Sequence, residues 1–176
     1  MPMNSNLGRA PTMQTVLGGL GARSNALLNQ YLECSRQTLQ MIIDQPGLLN
    51  GIELESVGGG YARNLLFGDG KISIWAMTWS PGSCTSIHDH HCSCCFGVVA
   101  GSLTEVRYVS LDHQKVKETE RLVRRSGFID CLLPSGPNIH LMANNSEEDA
   151  VSIHIYGYDH NLHASSIRAE YVAVYD

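Results

Sequence analysis

The sequence predicts a mainly β protein, an antiparallel barrel or sandwich preceded by short helices. First, about ten short β-like runs follow one another after residue 60, separated by Gly and Pro and without helical patterns between them. Second, apolar residues recur at roughly helical spacing only before that region. Third, the chain has 176 residues, 43% of them apolar and 16% charged. These values are ordinary for one globular domain with a sizeable core.

The N-terminal part is predicted to contain an arm and then the helices. Residues 1–22 are rich in Gly, Asn, Pro and Ser, and we expect a flexible arm there. Residues 23–176 are then expected to form a single domain. The apolar spacing over residues 24–43 predicts one long or two short amphipathic helices, and Gln45-Pro46-Gly47 ends them.

The strands are predicted from runs of β-branched, aromatic and alternating residues bounded by turn residues. In order they are residues 61–67, 72–79, 85–90, 96–100, 103–109, 115–122, 127–133, 140–143, 151–156 and 171–175.

Charge and cysteine usage exclude several classes of partner and location. The formal net charge is −5 with a pI near 5.9, so no basic surface for nucleic acid or an anionic membrane is expected. No window approaches the ~20 apolar residues that span a bilayer. Cys92, Cys94 and Cys95 are too crowded to join distant segments, so we expect no disulfide framework. The expectation is a cytoplasmic, monomeric protein without nucleic-acid or membrane partners.

A dense group of possible metal ligands follows Pro81. If residues 87–90 are a strand, His88 and His90 project from one face and Asp89 from the other. Two imidazoles then share one site. This H-x-H element alone suits a structural zinc site as well as an iron site.

The spacing around this element resembles the first motif of the cupins. Five residues separate Gly82 from the H-x-H element, three separate that element from Cys94, and six separate Cys94 from Gly101. Cys94 stands where the motif usually has Glu. The resemblance implies a cupin fold, a double-sheet jelly roll.

The second cupin motif follows in the expected order. Gly127, Pro134-Ser135-Gly136, His140 and Asn144 match it, with one extra residue before the histidine. In that family the histidine completes the metal site, so the resemblance adds His140 to the ligands.

The absent carboxylate has a chemical consequence. Three neutral imidazoles leave open positions, and the nearest related site is the non-haem Fe(II) site of two His and one carboxylate. Without an anionic ligand the iron keeps its full charge, which favours a thiolate ligand and dioxygen beside it. A thiol substrate suits such a site.

Two further features resemble the substrate side of the cysteine dioxygenases. Tyr61-Ala62-Arg63-Asn64 is similar to the family's Y-x-R-N element, whose Arg binds the substrate carboxylate. Trp79, nine residues before His88, matches a pocket tryptophan. The resemblance therefore implies that Arg63, Tyr61 and Trp79 bind substrate.

Two other sequence features resemble the catalytic residues of the cysteine dioxygenases. Ser152, His154 and Tyr156 alternate along one predicted strand and match the family's S-x-H-x-Y triad, in which Ser and His position the Tyr. Cys94 resembles the cysteine that becomes linked through sulfur to that Tyr in some members.

The sequence departs from the family pattern at two places. The loop after His90 is one residue shorter than in cross-linked relatives, so Cys95 is an alternative to Cys94 as the family cysteine. Adjacent strand residues face opposite ways, so only one can face the iron, and we choose Cys94. Gly157-Tyr158 stands where the family often has Ser-Pro.

The resemblance implies an enzyme that uses one Fe(II) per chain and O2 to oxidise a small thiol to a sulfinic acid. L-cysteine is the expected substrate. Another thiol such as 3-mercaptopropionate is an alternative, although relatives with that activity tend to lack the Arg. A second alternative is a non-catalytic binder of copper or zinc that uses the C-x-C-C cluster beside the histidines.

Overall fold

The computed structural model describes residues 12–175. The chain divides into two compact units, residues 1–34 and 35–176. The second contains all the strands and every predicted site residue.

The helical region is a single long helix, α1 (Met13–Asp44), followed by a short 3₁₀ turn at Pro46–Leu49. The helix begins at Met13 rather than near Ser24, so residues 13–22, predicted to be an arm, are helical. Residues 1–11 of that arm lie outside the described residues. The helix ends just before Gln45-Pro46 because a proline restricts the residue before it to extended conformations.

Ten strands follow, and they agree closely with the predicted runs. They are β1 (Tyr61–Gly68), β2 (Ser73–Trp79), β3 (Ile87–His90), β4 (Cys94–Ala100), β5 (Ser102–Ser110), β6 (Lys115–Arg125), β7 (Ile129–Leu132), β8 (His140–Ala143), β9 (Ala150–Tyr156) and β10 (Ile167–Ala173). The largest difference is β10, which begins four residues earlier than residue 171 because it pairs with β3.

The strands form two sheets. The first has the order β1-β2-β9-β4-β7, and the second, β10-β3-β8-β5-β6, closes on itself through parallel pairing of β10 with β6. The main apolar cluster draws on both sheets: Met77, Trp79, Phe96, Val98 and Ala150 from the first, and Leu103 and Met142 from the second. The core therefore lies between the sheets, and the predicted fold class, a mainly β double-sheet structure after an N-terminal helix, is confirmed.

A disulfide between Cys95 and Cys131 joins β4 to β7. The two residues are direct partners across these antiparallel strands. The expectation that Cys95 is too crowded to join a distant segment is therefore wrong, because residues 36 positions apart show no sign of pairing before the sheet order is known. Cys34, Cys84, Cys92 and Cys94 form no disulfide.

Within residues 12–175, α1 is too polar to serve as a membrane-crossing helix, and no other helix is long enough.

Candidate metal centre and its cavity

Three histidines converge on one point between the sheets. Strand alternation puts His88 and His90 on the same face of β3, and β8 pairs His140 directly opposite His88. All three are buried, and one ligand nitrogen from each lies within 4.8 Å of the others. Among residues 12–175 this is the sole group of three or more ligand-type side chains with that geometry.

Each imidazole has a hydrogen-bond partner at Nδ1, so Nε2 is the ring nitrogen available to a metal. The partners are the Ser86 carbonyl oxygen for His88 at 2.9 Å, Ser166 Oγ for His90 at 3.1 Å, and Glu105 Oε1 for His140 at 3.4 Å. The Nε2 atoms of His90 and His140 are 3.0 Å apart. Metal-ligating histidines are usually oriented by such contacts at the other ring nitrogen.

The environment keeps His88 and His90 neutral. Burial lowers the pKa of His88 to about 4 and that of His90 to about 2, with a further contribution from His140. Neutral imidazole is the form that binds metal. Three oriented nitrogen donors without a carboxylate fit a transition metal that retains open positions.

Glu105 on β5 is a fully buried carboxylate behind His140. Its Oε2 accepts from Arg124 Nε and Nη2 at 2.9 and 2.7 Å, and from Arg107 Nη2 at 3.3 Å, while Oε1 faces His140. Burial by itself would raise the pKa of Glu105, but the hydrogen bonds with His140 and Arg124 lower it to about 2. His140 is thus the one histidine of the three with an anionic partner.

We expect Glu105→Gln to lower metal affinity by roughly 10- to 100-fold, the usual effect of losing an outer partner of a metal-ligating histidine. The amide has the same shape but lacks the charge that strengthens His140 as a donor. The measurement is a zinc or Fe(II) titration in competition with a chelator, with thermal unfolding of the metal-free protein as a check on folding.

Asp130→Asn is the matched control for Glu105→Gln. Asp130 belongs to the same charge network through Arg107, at 2.6 Å, but makes no hydrogen bond to His140. Equal affinity losses in the two variants would show that the network acts on the fold rather than on His140.

Asp89 lies between the two β3 ligands in sequence but projects from the opposite face. It is fully buried, forms an ion pair with Arg168, and accepts hydrogen bonds from the Tyr171 hydroxyl and the Ala169 amide, both at 3.0 Å. All three partners belong to β10. Asp89 therefore attaches the C-terminal strand to the strand that carries the ligands.

Ser152, His154 and Tyr156 form a hydrogen-bonded row along β9. Ser152 Oγ is 2.8 Å from His154 Nε2, and His154 Nδ1 is 3.2 Å from the Tyr156 hydroxyl. The Trp79 indole N–H donates to Ser152 Oγ at 2.9 Å. Burial lowers the pKa of His154 to about 3, so this ring is neutral.

The row has a direction. A neutral imidazole has one donor and one acceptor nitrogen. The Ser152 hydroxyl has no other acceptor within residues 12–175, so it donates to His154 Nε2, and His154 Nδ1–H then donates to the Tyr156 oxygen. The row therefore does not use the phenol proton of Tyr156.

Cys94 faces Tyr156, whereas Cys95 does not. Cys94 and Tyr156 are direct partners across β4 and β9 and share a buried cluster. Cys95 projects from the other face of β4 to Cys131. Of the two alternatives in the short loop, the structure places Cys94 beside the tyrosine.

A small cavity of about 60 Å³ connects the histidines to the predicted substrate residues. Its lining is Tyr61, Arg63, Met77, Trp79, Thr85, His88, His90, His140, Met142, His154, Tyr156, Ser165, Ser166 and Ile167. The predicted residues Ser152 and Cys94 lie behind this lining. The volume has room for a ligand equivalent to a few water molecules.

Arg63 lies in this cavity wall beside other predicted residues. Tyr61 stacks on Trp79 with ring centroids 5.0 Å apart. Arg63 Nη1 donates to the Ala164 carbonyl oxygen at 3.3 Å, and Nη2 donates to the Tyr158 hydroxyl at 3.1 Å. Within residues 12–175, Arg63 forms no ion pair with a carboxylate.

Sequence reasoning missed Glu105, Ser166 and Tyr158. For Glu105 a signal exists, because an acid at alternate spacing from Leu103 lies on an inward face of β5. Ser166 and Tyr158 lie in or beside the connection from β9 to β10, where no period indicates which side chains turn inward.

Comparison with known proteins gives a consistent result. Residues 58–163 match the family model described as cysteine dioxygenase type I. The human protein named cysteine dioxygenase type 1 is 35% identical over 103 residues, which cover 54% of this chain and 50% of the human one. The rat protein of that name is 34% identical over 103 residues, which again cover 54% of this chain and 50% of the relative. The chain therefore spans about half the length of these curated relatives.

Among solved structures, a double-stranded β-helix protein from Klebsiella pneumoniae superposes with a TM-score of 0.49 at 14% identity, covering 60% of this chain and 79% of that one.

Proposed function

The chain belongs to the cysteine dioxygenase type I family, and we propose that it is an Fe(II)-dependent thiol dioxygenase that converts a small thiol to its sulfinic acid. The expected substrate is L-cysteine. Both oxygen atoms of O2 enter the product. Sulfur supplies all the electrons that dioxygen accepts, so no further reductant is needed.

One observation supports the proposal most strongly. Three histidine nitrogens and an arginine that forms no ion pair within residues 12–175 face the same small cavity. The histidines suit a metal with open positions, and the arginine suits a ligand with an anionic group. A small thiol that also has a carboxylate meets both requirements.

In this proposal His88, His90 and His140 hold the iron. Iron bound there supplies a cation that favours the thiolate form of the substrate and a centre at which dioxygen is activated. The chain's other residues orient the reactants and limit water.

Arg63 would pair with the substrate carboxylate through parallel hydrogen bonds, and Tyr61 and Trp79 would form the wall beside it. The row from Ser152 to His154 fixes the Tyr156 hydroxyl, so its proton can be donated to the substrate or to oxygen. The small cavity excludes most water from the reacting sulfur.

The direct test is anaerobic iron loading followed by oxygen uptake and product analysis with three thiols. Cysteine has both an amine and a carboxylate, 3-mercaptopropionate lacks the amine, and cysteamine lacks the carboxylate. We expect the highest kcat/KM with cysteine and a sulfinate product. No oxygen uptake with any thiol would reject the proposal, and a preference for 3-mercaptopropionate would change the substrate.

The alternative of a non-catalytic copper or zinc binder has less support. Within residues 12–175, the group of side chains with ligand geometry contains histidines and no cysteine, and Cys95 is bonded to Cys131. That alternative requires a second metal per chain.

We expect a thioether between Cys94 and Tyr156 to form during turnover with iron and oxygen, because the two side chains already face each other in the buried cluster. The chain should become lighter by a pair of hydrogens. The Cys95–Cys131 disulfide removes a pair as well, so the mass must be measured after full reduction, which reverses the disulfide and leaves the thioether intact.

The matched controls are Cys94→Ser and Cys92→Ser. The first should abolish the mass change, and the second should leave it, since Cys92 is not the strand partner of Tyr156. Peptide mapping that located the link at Cys95, or no link after many turnovers, would reject the assignment of Cys94.

A further inference from the structure

The hydrogen-bond partners of Arg63 within residues 12–175 are neutral groups. The guanidinium has five N–H donors, and its hydrogen bonds within residues 12–175 go to two neutral oxygens, the Ala164 carbonyl and the Tyr158 hydroxyl. A protein carboxylate at this position would compete with an anionic ligand. The neutral oxygens fix the side chain without that competition.

The face of the guanidinium is also occupied. Arg63 Cζ lies 4.5 Å from the ring centroid of Trp75. Arg63 is the strand partner of Met77, so Trp75, two residues earlier on β2, is its diagonal neighbour on the same face. An indole N–H and a guanidinium are both hydrogen-bond donors only, so what this ring offers Arg63 is its aromatic face.

Tyr158 is itself held firmly. It is buried, and Ser73 Oγ donates to its carbonyl oxygen at 2.7 Å. Its ring packs against those of Tyr156, His91 and His163, with centroids between 5.7 and 6.3 Å away. Its hydroxyl therefore has a fixed position from which to accept from Arg63.

Neither Trp75 nor Tyr158 lines the cavity, whereas Arg63 does. Both act on the arginine from the side away from the ligand. We propose that Tyr158 and Trp75 are positioning residues that hold the Arg63 guanidinium towards the cavity with its charge unpaired, and so select thiols that have an anionic group. This inference rests on the proposed function.

Tyr158 lies at one of the two places where the sequence departs from the family pattern. Gly157-Tyr158 replaces the Ser-Pro that often follows the tyrosine. Proline has no hydroxyl, so a relative with Pro at this position cannot make the hydrogen bond that Tyr158 makes with Arg63. The Gly157 amide remains bonded to the Ser93 carbonyl oxygen at 3.0 Å, which places the next residue.

The test compares cysteine and cysteamine as substrates of iron-loaded variants. Tyr158→Phe removes one hydrogen bond to a charged group, so we expect KM for cysteine to rise by roughly tenfold, with kcat changed by less than about twofold. KM for cysteamine should not change, because it has no carboxylate. Trp75→Leu should act in the same direction by roughly 3- to 10-fold, and Trp75→Phe should restore most of the loss.

The matched control is Tyr108→Phe, which removes a hydroxyl from an equally buried tyrosine in a separate cluster with Val106 and Val116. It should leave both substrates unchanged. Arg63→Ala, measured in parallel, distinguishes the positioning role of Tyr158 from the carboxylate-binding role of Arg63. If Arg63→Ala impairs cysteine selectively and Tyr158→Phe does not, the positioning role is wrong and the proposed function survives.

If Arg63→Ala affects cysteine and cysteamine equally, the carboxylate role fails, and the positioning role fails with it. An equal effect of Tyr158→Phe on the two thiols would also overturn the inference, since it would show that Tyr158 supports the fold around the metal rather than Arg63.

Discussion

Replacing His140 with alanine should remove the bound iron and abolish thiol-dependent oxygen uptake. The site has three protein ligands, and a three-ligand centre cannot readily lose one. His140 is also the ligand that connects the two cupin motifs, through its pairing with His88, and the one with a carboxylate behind it. We expect metal affinity to fall on the order of 100-fold or more, since losing even an outer partner costs up to about that factor.

The measurement is iron per chain after loading and dialysis, together with oxygen uptake. His113→Ala serves as the control, because His113 is an exposed histidine in the turn before β6 and should leave both values unchanged. His88→Ala and His90→Ala should behave as His140→Ala does. A His140→Ala protein with full iron and full activity would remove the metal assignment.

Replacing Arg63 with alanine should sharply lower kcat/KM for cysteine and leave cysteamine nearly unchanged. A guanidinium binds a carboxylate through two parallel hydrogen bonds, which a lysine cannot reproduce. Losing one partner of a buried charge pair typically costs about 2 to 5 kcal/mol, or roughly 30-fold to several thousand-fold in affinity. Arg63→Lys should recover only part of this loss.

Arg125→Ala is the control for Arg63→Ala, because Arg125 is exposed at the end of β6 and does not line the cavity. The decisive quantity is the ratio of kcat/KM for cysteine to kcat/KM for cysteamine in each variant. If cysteine and cysteamine fell by the same factor, Arg63 would be supporting the fold, and the assignment of cysteine would lose its main support.

Much of the metal centre could be predicted from local patterns. Strand alternation alone puts His88 and His90 on one face, and it separates Cys94 from Cys95. Period-two runs bounded by Gly and Pro located the strands to within a few residues, because backbone hydrogen bonding and side-chain burial follow the same period there. The chemical role of His140 needed the spacing of a known motif.

What could not be predicted depends on contacts between residues distant in sequence. Glu105 reaches His140 because β5 pairs with β8, and Arg124 reaches Glu105 because β5 also pairs with β6. The Cys95–Cys131 bond depends on the order of strands in the first sheet. Tyr158 reaches Arg63 across a separation of 95 residues, through a connection without periodicity. The exposed start of α1 was missed because its glycines lower helix propensity.

The attachment of β10 by Asp89 bears on how small a functional fragment of this protein can be. The segment that matches the family model ends at residue 163, yet Ser165, Ser166 and Ile167 line the cavity, and Ser166 orients His90. A chain truncated at the end of that segment would retain all three ligands, but it would lose one wall of the cavity and leave the Asp89 carboxylate buried without its partners. The smallest fragment that can fold and function must therefore extend beyond the segment that matches the family model. It has to include β10 as well as Asp89, the residue to which β10 is attached.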